Sequence, residues 1–259
     1  MALGACACVT TGCGARTGSH GAAGSSSVAV RGVESAPVAV VERLRAVESA
    51  EQRRASADVT PADLAARDVR LRRDAARALA RIADARAAEL LLTSLADEDA
   101  SVVTWSAYGL GASCAGRERA HTRALAARTA SLVVRTAAAS APAVAPGTPK
   151  EPAGQLFEPI AGIADALGRC GGAEAEKTLR AWVGSTGAIA EAAGFALGGL
   201  ASRTDRLEDA TLVALLDAAG RAEAPVASAL QAFTRLSHID ETVRTRLHDV
   251  ARRALAGSG

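Results

Sequence analysis

The residues best suited to chemistry are four histidines and five cysteines, and they are scattered along the chain. The histidines are His20, His121, His238 and His248, and no pair has the i, i+4 spacing with which helical histidines bind zinc. The sequence also lacks a Gly-x-Ser-x-Gly nucleophile turn, a phosphate-binding loop and a dinucleotide fingerprint. We therefore predict no catalytic residue, no metal site and no cofactor, and we interpret the histidines as structural or solvated.

The cysteines fall into two groups. Cys6, Cys8 and Cys13 lie close to the N-terminus with a spacing that matches no common zinc pattern. Cys114 and Cys170 lie in segments with helical patterning. We interpret these two as small buried core residues, because free cysteine behaves as a small apolar side chain.

The N-terminal segment has features of a tethered leader. Leu3-Gly4-Ala5-Cys6 resembles a bacterial lipobox, in which the cysteine is lipidated, although few residues precede it. Either this resemblance is chance or the true start lies upstream. Residues 1–34 are predicted to be a flexible leader. Lipidation of Cys6 would place the chain in the bacterial cell envelope; otherwise we expect a cytoplasmic protein.

The composition predicts an all-α protein. Hydrophobic residues make up 49% of the chain but aromatic residues only 2%, and alanine, the best helix former, dominates. The 30 basic and 28 acidic residues leave a net charge of +2, which argues against a general nucleic-acid binder. No apolar run approaches the roughly 18 residues that a transmembrane helix needs.

An internal repeat with a period of about 30 residues organises the chain. Leu79 and Leu110 occupy equivalent positions in one pair of copies, and Leu167 and Leu197 do so in another. Second helices follow each copy, so the unit is a helix–turn–helix. One such unit cannot bury its apolar face alone, whereas stacked units bury a continuous core. We therefore predict a right-handed α-solenoid of about five repeats over residues 35–256. A Pro/Ala-rich insert at about 137–154 cannot be helical throughout, and we predict that it is a disordered, flexible loop within one repeat.

Three segments carry a resemblance to a known family. Asp68-Val69-Arg70, Asp84–Leu91 and Leu95–Val102 resemble the bacterial HEAT-repeat consensus, which is also called the phycobilisome-lyase HEAT-like repeat. The arginine of that consensus is missing at Val102-Val103. The resemblance covers about residues 60–256. It is specific for the fold and carries little about function, because such arrays serve many roles.

The helices that carry the repeated leucines offer a candidate binding face, because the resemblance to HEAT arrays implies that these helices line the concave side. On each of these helices, the residue two positions before the repeated core residue is expected to face outward, and these residues form a row across neighbouring repeats. Trp105 lies one turn before Tyr108, the second residue of this row. Arg73 lies one turn before Arg77, on a basic face with Arg70 and Arg81 that is otherwise interpreted as a solvated helix face. Aromatic residues and arginine concentrate in binding hot spots. The predicted partner-binding residues are Arg73, Arg77, Trp105, Tyr108, Asp165, Phe195 and Gln231. The alternative is that the aromatic residues pack between adjacent repeats.

The sequence leads to three functional hypotheses. The first is a non-catalytic scaffold that binds another protein through its concave face, so that the chain is not an enzyme. The second follows from the resemblance, which extends to HEAT arrays found ahead of cyclophilin-type prolyl isomerase domains in bacterial lipoproteins. It makes the chain the N-terminal scaffold part of a larger envelope lipoprotein. The third, a chromophore-lyase-like activity, is implied only by the repeat's alternative name.

Overall fold

The computed structural model describes residues 38–140, 154–221 and 226–256, and the regular structure within these ranges is entirely helical. The leader, with the predicted lipidation site Cys6, lies outside the described residues. The helices are α1 (Val38–Arg53), α2 (Pro61–Leu64), α3 (Val69–Ile82), α4 (Ala85–Ser94), α5 (Ala100–Ala112), α6 (Glu118–Ser140), α7 (Gly154–Cys170), α8 (Gly172–Val183), α9 (Gly187–Thr204), α10 (Asp209–Ala219), α11 (Val226–Gln231) and α12 (Glu241–Ala256). Two 3₁₀ turns accompany them, Ser56–Asp58 and Ala232–Arg235.

The helices form two layers. In the first layer α1, α3, α5, α7, α9 and α11 pack side by side in this order. Behind it, α4 packs on α3 and α5, α6 contacts α8, and α8, α10 and α12 contact one another in turn. The array therefore repeats a helix pair from α3–α4 to α11–α12. The prediction of an all-α helical-repeat solenoid is confirmed.

Repeated leucines form the centre of the core. Leu79, Leu110, Leu167 and Leu197 are each 0% exposed, and each lies near the end of a first-layer helix. Burying one leucine side chain stabilises the fold by about 2 kcal/mol. These positions are the ones from which the repeat was recognised, so the repeat in the sequence is a repeat of core contacts.

Small residues meet wherever neighbouring first-layer helices cross. A Cβ added at Gly111 of α5 would lie 2.8 Å from the Cα of Ala166 on α7. A Cβ at Gly168 of α7 would lie 2.7 Å from the carbonyl oxygen of Ala196 on α9. Side-chain-to-backbone distances this short do not occur in real structures, so the helix spacing depends on glycine at both positions.

Asp and Arg side chains tie the turns together at the N-terminal end of the array. Asp84 and Asp99 cap α4 and α5 by accepting hydrogen bonds from backbone N–H groups. Arg72 of α3 donates from Nε to Oδ2 of Asp97, in the turn between α4 and α5, at 2.9 Å. The Arg72–Asp97 pair therefore links α3 to this turn, through hydrogen bonds to both carboxylate oxygens.

The Pro/Ala-rich insert begins later than the sequence analysis predicts. Helix α6 continues to Ser140, so that residues 137–140 are helical. The reason is the run Ala137–Ala139, because alanine favours a helix and the first proline follows only at Pro142. Helix α7 begins at Gly154, and residues 141–153 lie outside the described residues.

Cys114 and Cys170 are bonded to each other, which corrects their interpretation as unpaired core residues. Their Cα atoms are 5.2 Å apart, and the disulfide joins the end of α5 to the last residue of α7. The pairing could not be read from the sequence, because 56 residues separate the two cysteines and only the stacking of α5 on α7 brings them together.

No helix among the described residues is long and apolar enough to cross a membrane.

Asp63 of α2 is a buried carboxylate near the N-terminal end of the array, and it is hydrogen-bonded to α1. Its carboxylate is 3% exposed, and it accepts hydrogen bonds from Arg43 Nε and Nη2, both at 2.5 Å. Thr60 donates to Oδ2 from its backbone N at 2.7 Å and from its hydroxyl at 2.8 Å. Burial by itself would raise the pKa of Asp63, but these donors outweigh burial and leave the pKa below its usual value.

We expect Asp63→Asn to lower the free energy of unfolding by about 1.5 kcal/mol at pH 7, since hydrogen bonds to a charged partner are lost. The folded pKa is depressed, so this contribution is present above the unfolded pKa of about 3.9 and disappears as the pH falls through the folded value. Urea unfolding of both proteins from pH 7 down to pH 3 measures the difference. A difference that does not narrow below pH 4 would contradict this role, and exposed Glu89→Gln is the control.

Candidate protein-interaction surface

One face of the first layer is formed by residues at a fixed distance from the buried leucines. A residue two positions before a leucine is turned by about 200° around the helix, because each residue turns it by about 100°. The residues at this offset are Arg77 on α3, Tyr108 on α5, Asp165 on α7 and Phe195 on α9. Since the leucines point into the core and the four helices are neighbours, these side chains stand on the outer face of the layer.

Two aromatic side chains on this face are exposed. Tyr108 is 37% exposed and Phe195 is 49% exposed. The whole chain has only three Phe, two Trp and one Tyr. Among the described side chains the other aromatics, Trp105, Trp182 and Phe233, are partly or fully buried. The exposure of large rings is therefore concentrated on this face.

Trp105 supports Tyr108 from one turn earlier on α5. The two ring centroids are 5.9 Å apart and the rings are nearly perpendicular, at 80°. Trp105 is partly buried against the core, so it holds Tyr108 at the surface while contributing to the interior. From the sequence we expect both rings to be substantially exposed; Tyr108 is exposed, whereas Trp105 is partly buried.

Two arginines lie over these rings, and the sequence analysis does not assign them to the aromatic face. The guanidinium of Arg169 on α7 is 4.7 Å from the Tyr108 ring centroid, and that of Arg81 on α3 is 5.8 Å from the Trp105 centroid. Both distances allow cation–π attraction. A signal was present in the sequence, because Arg81 and Arg169 each stand two residues after a repeated leucine.

The charges of this face are paired with one another. Arg169 Nε donates to Asp165 Oδ2 at 2.8 Å within α7. Arg77 and Arg81 both pair with Glu51 of α1, at 3.2 and 2.7 Å. Arg73 binds the carboxylate of Asp99, at the start of α5, through Nε and Nη2, and these donors lower the pKa of Asp99. The positive charges of Arg73, Arg77 and Arg81 are therefore each balanced by a nearby carboxylate.

Gln231 does not share this face, contrary to the expectation that it points outward. It is partly buried, with its Cγ 3.4 Å from the position of a Cβ built on Gly198, and its Oε1 is buried. The physical reason is the end of α11, where a 3₁₀ turn begins at Ala232. A 3₁₀ turn has about 3.0 residues per turn, so the offset counted on an α-helix no longer applies.

The histidines differ in their surroundings. His238 and His248 are exposed on the C-terminal part of the array. His121 is 1% exposed, and its Nδ1 donates to the carbonyl oxygen of Leu110 at 3.0 Å. Burial lowers the pKa of His121, so its ring is neutral at neutral pH. Together with Cys114 and Cys170 it is the group among the described side chains whose atoms could hold a metal ion.

Comparison with known proteins gives likenesses of fold. No protein-family model and no curated protein matches the chain. Among solved structures it is similar to the complex of CpcE and CpcF of phycocyanin lyase from Nostoc sp. PCC7120, with 19% identity, a TM-score of 0.44 and coverage of 84% of this chain and 91% of that one. It is also similar to an engineered protein, with 21% identity, a TM-score of 0.36 and coverage of 83% and 85%.

The first of these likenesses corrects the prediction that the chain is not an enzyme. That prediction treated a helical-repeat fold without a familiar catalytic motif as a sign of a non-catalytic protein. The similar structure is that of a phycocyanin lyase, which is an enzyme. At this level of identity the likeness concerns the fold alone. Neither comparison bears on a cyclophilin-type domain.

Proposed function

We propose that this chain binds another protein through the interaction surface, defined as Arg77, Trp105, Tyr108, Asp165 and Phe195 with the two overlying arginines, Arg81 and Arg169. The observation that carries the proposal is the exposure of two aromatic rings on one layer, Tyr108 on α5 and Phe195 on α9, with α7 between them. Exposed aromatic side chains beside arginine are characteristic of the residues that dominate binding energy in protein interfaces.

The surface is arranged before binding. Tyr108 lies between Trp105 and Arg169, so its ring has little rotational freedom left to lose. A side chain that is already ordered reduces the entropic cost of association. This arrangement supports a binding role, because an aromatic ring that served only to fill the core would be buried.

The paired charges indicate what kind of partner segment fits. Arg169, paired with Asp165, lies beside Tyr108, and Arg81, paired with Glu51, lies beside Trp105, so the charges next to these two rings are balanced. Such a surface favours an apolar segment of a protein over a highly charged polymer, because a strong net charge is needed to attract the latter. We therefore propose an apolar segment of a partner protein as the ligand of this face.

Photo-crosslinking tests the location of the surface. A photoreactive phenylalanine analogue is placed at Phe195, and in a second protein at Val213, which is 38% exposed on the second-layer helix α10. We expect a discrete partner to be captured from position 195, with much lower yield from position 213. Capture of the same partner with equal yield from both positions would count against this surface.

Affinity measurements with the captured partner test the aromatic residues. We expect Tyr108→Ala and Phe195→Ala each to weaken binding by about 10-fold or more, since truncating a hot-spot residue costs at least about 1.4 kcal/mol. Val213→Ala is the matched control and should leave the dissociation constant unchanged. The proposal fails if both aromatic variants bind like the original protein while circular dichroism shows that they are folded.

A location in the cell envelope is favoured by the disulfide between Cys114 and Cys170. Disulfides persist in oxidising compartments and are rare in the cytosol. We infer that the array works outside the cytoplasm, as the second functional hypothesis, a scaffold in an envelope lipoprotein, requires. Alkylation of thiols in intact cells before lysis tests this inference: Cys114 and Cys170 should be protected, and their modification in freshly trapped protein would contradict it.

A further inference from the structure

Three side chains that could bind a metal meet where α5, α6 and α7 come together. Cys114 follows the end of α5, His121 lies in the first turn of α6, and Cys170 ends α7. The two sulfur atoms and a ring nitrogen of His121 all lie within 4.8 Å of one another. Cys114 and His121 are buried and Cys170 is partly buried. The cluster is separate from the residues of the interaction surface.

The histidine is held in the orientation and tautomer of a metal ligand. Its Nδ1 donates a hydrogen bond to the carbonyl oxygen of Leu110 at 3.0 Å, which leaves the lone pair on Nε2. Histidines that bind metal ions commonly donate their other ring N–H to a backbone carbonyl, which fixes the ring and raises its basicity.

The disulfide alone does not account for this histidine. A bond between Cys114 and Cys170 requires no imidazole beside it, and burying a polar ring costs free energy that an apolar residue would avoid. His121 is nevertheless 1% exposed and stands next to both sulfur atoms. Two sulfur ligands and one imidazole nitrogen are a donor set suited to zinc.

We propose that Cys114, His121 and Cys170 form a Zn²⁺ site when the disulfide is reduced, so that this junction has two alternative states. A dithiol reductant transfers two electrons and two protons to the S–S bond, giving two thiols while the dithiol itself becomes a disulfide. Zn²⁺ then binds the two thiolates and Nε2, and the two thiol protons are released to solvent. Oxidation by a small-molecule disulfide, which takes up two electrons and two protons and becomes two thiols, re-forms the Cys114–Cys170 bond, removes both sulfur ligands and releases the ion.

The geometry needs little movement to pass from one state to the other. Two Zn–S bonds of about 2.3 Å at a tetrahedral angle require the sulfur atoms to lie about 3.8 Å apart. Both sulfur atoms and one ring nitrogen of His121 already fall within 4.8 Å of one another, so the ligands are close to the separation that a zinc site requires. Among the described residues no further Cys, His, Asp or Glu joins the group, so these residues supply three ligands.

Zinc titration of the full chain tests the proposal. Cys6, Cys8 and Cys13 are first replaced by serine, so that Cys114 and Cys170 are the remaining cysteines of the five. The protein is reduced with a phosphine, which leaves no competing thiol, and Zn²⁺ is added in competition with a chromophoric chelator. We expect one tightly bound Zn²⁺ per reduced chain and none in the disulfide form. Absence of binding by the reduced chain would overturn the proposal.

Ligand identity is tested with His121→Gln, and exposed His248→Gln is the matched control. Loss of a residue that only supports a ligand weakens a zinc site by about 10- to 100-fold, so loss of a direct ligand should weaken it by at least about 100-fold. His248→Gln should bind as the parent does. Equal affinity of the two variants would remove His121 from the site and overturn the proposal.

A measurement on the parent chain keeps the proposal testable if His121→Gln does not fold. X-ray absorption of the zinc-loaded, reduced protein should show two sulfur neighbours and at least one nitrogen neighbour. Replacement of Zn²⁺ by Co²⁺ should give the thiolate charge-transfer and visible bands of a four-coordinate ion. A metal with only oxygen and nitrogen neighbours would overturn the assignment, and so would one bound by four sulfur atoms from two chains.

Discussion

Replacing Cys114 and Cys170 together by alanine is expected to lower the free energy of unfolding by about 3 kcal/mol under oxidising conditions. The disulfide closes a loop over a sequence separation of 56 residues, and a cross-link of this length removes much of the conformational entropy of the unfolded chain. It also joins α5 directly to α7, whereas the chain connects these two helices through α6 and the Pro/Ala-rich insert. Urea unfolding followed by circular dichroism measures the change.

Reduction provides the internal control for this result. The parent protein, reduced with a phosphine in the presence of a metal chelator, should unfold at the urea concentration of the double alanine variant. A chain with serine at Cys6, Cys8 and Cys13 should keep the stability of the parent. If the double variant is as stable as the parent while both are oxidised, the disulfide does not stabilise the array.

The second large effect is expected at the crossing points of the first layer. We expect Gly111→Ala and Gly168→Ala each to lower the free energy of unfolding by about 2 kcal/mol. The added methyl group would meet backbone atoms of the next helix at 2.8 and 2.7 Å, so the two helices must move apart. Because each repeat packs mainly on its neighbours, the displacement also loosens the buried leucines of both repeats.

Gly199 is the matched control for these substitutions, since it lies in α9 and a Cβ there has only the flexible Arg203 side chain nearby, at 3.6 Å. Gly199→Ala should raise the free energy of unfolding by about 0.5–1 kcal/mol, because alanine favours a helix more than glycine does. Urea unfolding of the three variants gives the comparison. If all three changed stability in the same direction, close helix packing would not explain the glycines.

Repetition made the fold and one face of it accessible from the sequence. The offset of two residues from a buried leucine places Tyr108 and Phe195 on the outside because the α-helix has a constant turn per residue. The same regularity explains why Gln231 was misplaced, since a 3₁₀ turn interrupts the helix there. A pattern of period 3.6 therefore predicts orientation only as far as the α-helix continues.

Contacts between distant parts of the chain were decided by the tertiary structure. The sequence by itself determined that the chain is helical and repeats a helix–turn–helix unit, and it placed Tyr108 and Phe195 on the outside of their helices, because these features follow from local periodicity and from helix propensity. The pairing of Cys114 with Cys170 beside His121 and the placement of Arg169 over Tyr108 depend on how α5, α6 and α7 stack. Stacking brings together residues that are far apart in the sequence. The periodicity of a single helix does not predict which of these residues come into contact. The residues most suited to chemistry, with which the sequence analysis began, were for this reason recognised one by one but not as a group.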